Sequence, residues 1–145
     1  MSMLSGIVNS GSIPTIETVL RFTSERHRVI ANNVANADTP YFRARDLDVL
    51  AFERALSKAV SRRRPGEPLR IDSSRNIRSG AGGGGPRFRT VRRSAGDPLR
   101  HDQNNVSIET EMGLLYKNAM TARVMTRLLR QKYRMLKSAA SLRVR

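Results

Sequence analysis

From Ile108 to the C-terminal end the sequence contains no proline, and Ile108, Met112, Leu115, Ala119, Ala122, Thr126, Leu129, Tyr133, Leu136 and Ala140 recur at strict steps of four and three. That spacing places all ten on one side of an α-helix. Glu109 and Glu111 stand at the positive start of the helix dipole, and Arg130, Lys132, Arg134, Lys137 and Arg143 toward its negative end. Asn105 and Ser107 are the candidate N-caps, and Gly113 is the one poor helix former, at a cost of about 1 kcal/mol relative to alanine. A helix of about 35 residues is roughly 50 Å long. Its six large seam residues supply on the order of 10 kcal/mol if each is buried at about 2 kcal/mol, so the chain must offer them a partner.

A second seam lies near the other end. Ile16, Leu20, Thr23, His27, Ile30 and Val34 follow the same four-three spacing and predict a helix over 14–36. Pro14 suits its first turn, Ser12 or Thr15 its cap, and Pro40 disfavours helical geometry at Thr39. At about 23 residues this helix reaches only roughly 35 Å, so it cannot cover the C-terminal seam alone. Neighbouring subunits are the natural cover for the remainder. Val49, Phe52, Leu56 and Ala59, with Asp48 as cap, predict a short helix between the two.

The expected fold is therefore mainly α. Long N- and C-terminal amphipathic helices pack as a coiled-coil-like hairpin, beside a short second helix and an irregular basic middle. Residues 1–60 hold the first helix and the short one, residues 61–105 form a flexible Arg- and Gly-rich insert, and residues 106–145 hold the last helix; the two ends make one helical domain. Within the insert only Leu69 to Ile71 and Phe88 to Val91 have the composition of short strands.

Charge follows the same division. The net charge of +15 is nearly absent from residues 1–60, with seven basic side chains against six acidic. Residues 61–105 carry eleven arginines against four acids, and residues 106–145 carry nine basic residues against two glutamates. Clustered arginine raises nucleic-acid binding as the alternative reading. Against it, Phe88 is the insert's single aromatic, and no helix-turn-helix or zinc pattern is present.

Enzyme chemistry finds no foothold. Gly80-x-Gly82-x-x-Gly85 has the letter spacing of a dinucleotide fingerprint, but no strand precedes it and Pro86 stands where a helix should begin. His27 has no second ligand at metal spacing, which favours a packed or partly exposed interface histidine. His101-Asp102 has no nucleophile beside it, and Asp46 and Asp48 suit capping and surface roles better than a catalytic pair. No catalytic, cofactor or metal residue is assigned. The absence of cysteine excludes disulfides and thiolate sites and leaves the compartment open. No apolar run approaches the length of a membrane span, and the first ten residues lack the basic and apolar regions of a secretory signal.

One segment is more specific. Ala31-Asn32-Asn33-Val34-Ala35-Asn36-Ala37-Asp38-Thr39-Pro40, continuing as Tyr41-Phe42-Arg43-Ala44-Arg45-Asp46-Leu47, resembles the helix end of the flagellar basal-body rod family, and its proximal-rod members most of all. Asn104-Asn105-Val106-Ser107-Ile108-Glu109-x-Glu111-Met112 and the stretch from Leu128 to Ala139 are similar as well. Together these cover roughly half to two thirds of the chain. Two positions depart from the family pattern: Tyr41, where glycine is common, and Ser107, where an acid is common. They bear on the local turn and on the helix cap.

The resemblance implies a structural subunit stacked helically in the rod, with both terminal helices in the inner tube. Implied partners are copies of itself, other rod proteins, the MS-ring protein and the adaptor protein FliE. It also implies delivery by the flagellar type III export apparatus without a cleaved signal, to a periplasmic rod. The expected assembly motif is Ala31, Asn32, Asn33, Ala35, Asn36, Thr39, Pro40 and Tyr41. In it the asparagines would bond backbone groups at the helix end and a neighbouring subunit, while the alanines allow close helix approach. The expected packing residues are Ile16, Leu20, Ile30, Val34, Ile108, Met112, Leu115, Ala119, Ala122, Leu129, Tyr133 and Leu136.

Overall fold

A computed structural model describes residues 12–64, 66–80, 85–93 and 103–142. Three helices dominate it: α1 (Ile13–Ala35), α2 (Val49–Arg62) and α3 (Ile108–Leu142). The bounds of α1 agree with the expected 14–36 to within one residue, and α2 runs three residues beyond Ala59. Pro14 sits in the first turn of α1, where a missing N–H costs nothing. Ser12 occupies the N-cap position without a side-chain hydrogen bond. At α2, Asp48 Oδ1 accepts from the Ala51 N–H at 2.9 Å, as expected of a cap. At α3 the capping oxygen is that of Ser107, which accepts from Thr110 N–H at 3.3 Å.

Helices α1 and α3 pack along each other as an antiparallel hairpin. Cross-links along it include Asn33 to Glu111 at one end and Glu17 to Tyr133 at the other. The α3 register, however, is not the purely apolar one. Buried or half-buried positions are Glu111, Leu114, Leu115, Asn118, Ala119, Ala122, Met125, Thr126, Leu129 and Leu136. The series Glu111, Leu115, Asn118, Ala122, Met125 and Leu129 keeps the four-three rhythm with two polar members, and it runs beside the inward part of the expected series, Leu115, Ala119, Ala122, Thr126, Leu129 and Leu136. Ile108, Met112 and Tyr133 are correspondingly displaced outward, to 41%, 54% and 47% exposure.

Helix α1 also buries a second side. Val19, Phe22, Arg26, Val29 and Asn33 recur at steps of three and four beside the first seam. Phe22 joins Leu47, Phe52, Ile71 and Ile77 in the main core. The Phe22 and Phe52 rings stack with centroids 4.0 Å apart, and Phe88 meets both edge-on, at 5.1 and 5.5 Å. Aromatic pairs in such geometry each add about 1 kcal/mol beyond area burial.

The basic middle is thus not wholly separate from the core. Strand β1 (Arg45–Leu47) pairs antiparallel with β4 (Thr90–Arg92), in the register Asp46 opposite Val91. Strands β2 (Ile77–Arg78) and β3 (Arg87–Phe88) form a second small ribbon. Phe88 and Val91 are in strands as their composition suggested, whereas Leu69 to Ile71 is not a strand and Ile71 simply buries its side chain. The apolar residues Ile71, Ile77 and Phe88 dock these parts of the expected flexible insert onto α1 and α2. Gly82 and His101-Asp102 lie outside the described residues, and Gly85 approaches the Arg21 side chain just before β3.

Candidate assembly interface

Helix α1 ends where its last carbonyls lose helical partners, and the asparagine motif is built around that need. The Asn36 N–H closes onto Asn32 and Asn33 oxygens at 3.2 and 3.1 Å. Its side-chain Nδ2 donates to the Asn32 carbonyl at 2.8 Å, and its Oδ1 accepts from Thr39 Oγ1 at 3.3 Å. Asn104, reaching in from the segment before α3, donates its Nδ2 to the carbonyls of Asn36, Ala37 and Thr39 at 3.1, 2.8 and 2.9 Å. Next to it, Asn105 Oδ1 accepts from Ala44 N–H at 2.7 Å. Both chain halves are thereby sewn together through side-chain amides, each able to donate and to accept.

Asn33 is the centre of this arrangement and is wholly buried. Its Nδ2 donates to the Arg45 carbonyl at 2.7 Å and to Glu111 Oε2 at 3.1 Å. Its Oδ1 accepts from the Arg45 N–H at 3.1 Å. The amide therefore acts on Arg45 as a strand neighbour's peptide group would. Glu111, also wholly buried, receives Arg93 Nη2 on its other oxygen. Arg93 arrives there because β4 pairs with β1, and its own N–H continues the ladder onto the Ala44 carbonyl at 3.0 Å. A buried carboxylate needs such a charged and hydrogen-bonded partner. The middle of the chain supplies it.

Around this centre, Arg26 and Asp46 form a bidentate pair at 2.8 and 2.7 Å, largely shielded from solvent. Asp48 uses its second oxygen to accept from Asn76 Nδ2 at 2.9 Å. The two aspartates thus hold different structural partners. Farther along α1, Asn118 Nδ2 donates to the Thr23 carbonyl at 2.8 Å across the helix pair.

Two relatives among curated proteins bear on what this framework is. The flagellar basal-body rod protein FlgB of Aquifex aeolicus (strain VF5) is 30% identical over 105 residues, which cover 70% of this chain and 69% of that protein. The chain belongs to the FlgB family of flagellar basal-body rod proteins. The FlgB protein of Yersinia enterocolitica is 34% identical over 70 residues, 46% of this chain and 49% of that protein. The chain thus spans about half the length of the Yersinia protein it matches. No family model matches the chain.

The positions where this FlgB-family chain departs from the family pattern can now be placed. Tyr41 has a φ of +62° and a 72% exposed side chain. The turn is a left-handed one that favours glycine, here held by a tyrosine at a cost of roughly 1 kcal/mol. Ser107 takes the capping position itself, and its hydroxyl also donates to Glu109 at 3.0 Å.

The expected assembly motif divides into two sets. Asn33 is buried and directs its hydrogen bonds inside the chain. Ala31, Asn32, Ala35, Thr39, Pro40 and Tyr41 are exposed, and Asn36 is half-buried with its amide bonded locally. Of the expected packing residues, Ile16 and Ile30 are buried, while Leu20, Val34, Leu115, Ala119, Ala122, Leu129 and Leu136 are half-buried. His27 is exposed on α1. What the sequence reading missed is the polar half of the interface: Glu111, Asn104, Asn105, Asn118, Arg93 and the Arg26–Asp46 pair. Its available signal was the second four-three series on α1, in which Arg26 and Asn33 occupy inward positions.

A further apolar row lies on α3. Ile108, Met112, Tyr116, Met120, Val124 and Leu128 follow one another at intervals of four, with exposures from 38% at Leu128 to 65% at Tyr116. Residues four apart form the ridges by which one helix packs into the grooves of another. No described helix is long and apolar enough to cross a membrane.

Proposed function

We propose that the chain is a structural subunit of the proximal rod of the flagellar basal body, assembling helically through its terminal helices. The observation that carries this reading is the exposed ridge from Ile108 to Leu128. A row of six large apolar side chains on one helix is unfavourable in water and fits burial against another subunit. Completing the burial of six half-exposed residues at about 1 kcal/mol each yields on the order of 6 kcal/mol over all the subunit contacts of α3, because steps of four turn the row roughly 200° around the helix. The exposed Ala31 and Ala35 at the end of α1 leave room for a close-packed neighbour. The partners are copies of this chain, other rod proteins, the MS-ring protein and a FliE-type adaptor. The site is the periplasmic rod, reached through the flagellar export apparatus.

The test replaces Tyr116 and Val124 together by aspartate in a strain lacking the native gene. Both side chains are exposed, so the purified variant keeps its circular dichroism spectrum and thermal midpoint. Swimming is lost, and basal bodies lack a rod. Because the chain has no cysteine, single cysteines at positions 116 and 124 also yield disulfide-linked oligomers in assembled rods. Normal swimming of the double aspartate variant would sink the reading.

A further inference from the structure

A groove of about 820 Å³ runs between α1 and α3. Its floor is formed by the half-buried Leu20, Ala119, Ala122 and Thr126. The Thr126 hydroxyl donates to the Ala122 carbonyl at 2.8 Å and the Asn118 amide is engaged by Thr23, so the floor offers little unsatisfied polarity. Its rim is different. Arg123, Arg127, Arg130 and Arg134 are all exposed along it. Among the described residues none of these four lies within ion-pair distance of a carboxylate, whereas Arg28, also on the rim, is paired with Glu25.

We infer that this groove receives an acidic amphipathic helix belonging to a different protein. The shape of the site argues for a helix, since an apolar floor with two alanines accepts an apolar stripe at close range, as in helix-in-groove recognition. The charge argues for acids, because the rim arginines recur at steps of four, three and four over roughly 16 Å of α3. A row of Glu or Asp at the same helical spacing meets them one for one. A second copy of this chain cannot supply that row: it carries a net charge of +15, and no two of its acidic residues stand three or four positions apart. A nucleic-acid strand fits less well, because the groove is lined by no Phe, Tyr or Trp, with His27 its single ring, and the floor is apolar. The inference stands apart from the rod reading, which rests on the apolar ridge of α3.

The experiment uses the full chain and a fluorescent synthetic helix with leucines along one stripe and glutamates flanking it at steps of four, three and four. Fluorescence anisotropy should show saturable binding that weakens as salt is raised. Arg127→Glu combined with Arg130→Glu should lower the affinity by about tenfold or more, with an unchanged circular dichroism spectrum, because both residues are exposed. A peptide with lysines in place of the glutamates should bind the doubly reversed protein better than the native one. The inference is overturned if the acidic peptide fails to bind, if a glutamine version binds equally well, or if the charge reversal leaves affinity unchanged. It is also overturned if a duplex DNA oligomer binds more tightly than the acidic peptide and loses that binding on the same reversal. Tyr116→Asp should leave peptide binding intact, so the two readings fail separately.

Discussion

Replacing Asn33 tests whether the asparagine motif is a fold-holding device before it is anything else. In Asn33→Ala the Arg45 N–H and carbonyl both lose their side-chain partner, and Glu111 loses one of its two donors. An unsatisfied buried backbone group costs about 1–3 kcal/mol. Two such groups, partly rescued by water at the edge of β1, give a loss of about 3 kcal/mol. On a urea slope of about 1.5 kcal/mol/M this moves the unfolding midpoint by about 2 M. Urea unfolding of the purified full chain, followed by far-ultraviolet circular dichroism, measures it. Asn32→Ala, with its exposed side chain, is the control and should fall within about 0.5 kcal/mol of the native chain. An Asn33→Ala midpoint indistinguishable from the control would refute the reasoning.

The isosteric Asn33→Asp sharpens the test, since shape is kept while the donor to the Arg45 carbonyl is lost. It also sets a second carboxylate against Glu111, whose Oε2 lies 3.1 Å from the position now held by Nδ2. Two carboxylates so close favour proton uptake by one of them, so one acid in the folded variant has a raised pKa. A raised folded pKa contributes stability at low pH that is lost as pH rises through it. The variant should therefore be much less stable than the native chain near pH 7 and recover part of the difference toward about pH 5. A gap independent of pH would show that the introduced carboxylate and Glu111 do not face each other.

Three further outcomes are expected. Phe88→Ala removes both edge-on ring contacts from the core and should cost about 3 kcal/mol, with faster tryptic cleavage at the arginines of the middle segment; unchanged cleavage would mean that segment is not docked through Phe88. Tyr41→Gly, at the left-handed turn, should be neutral or stabilising by up to about 1 kcal/mol in urea unfolding, because relief of the positive φ outweighs the added freedom of the unfolded chain, and a clear destabilisation would contradict the turn geometry. The Glu17 carboxylate beside Tyr133 raises its phenol above the usual 10.0, with smaller contributions from burial and from the hydrogen bond at 3.3 Å. The stability linked to that shift is present below about pH 10 and lost as pH rises through the raised value. Glu17→Gln should return the Tyr133 titration, followed by ultraviolet absorbance, toward the ordinary value.

Why the helices were legible and the interface was not comes down to what an apolar period can detect. Ile16, Ile30, Leu115, Ala122 and Leu129 announce their side of each helix through hydrophobicity, and the prolines and caps announce the ends. Glu111 and Asn118 occupy the same inward register, but a polar letter reads as surface unless its partners are known. Those partners lie far away in sequence: Asn33 is 78 positions from Glu111, and Thr23 is 95 positions from Asn118. The apolar reading therefore shifted the α3 seam toward Ile108, Met112 and Tyr133, whose exposure now makes Ile108 and Met112 part of an outward ridge. The same logic revises the basic middle. One of its arginines, Arg93, neutralises the buried Glu111, and Phe88 completes an aromatic cluster that α1 and α2 leave open. Charge on this chain has two separate uses, then: a few cations are consumed inside to keep a polar core stable, while the rim arginines of α3 remain outside, away from the described carboxylates, as the proposed acidic helix requires.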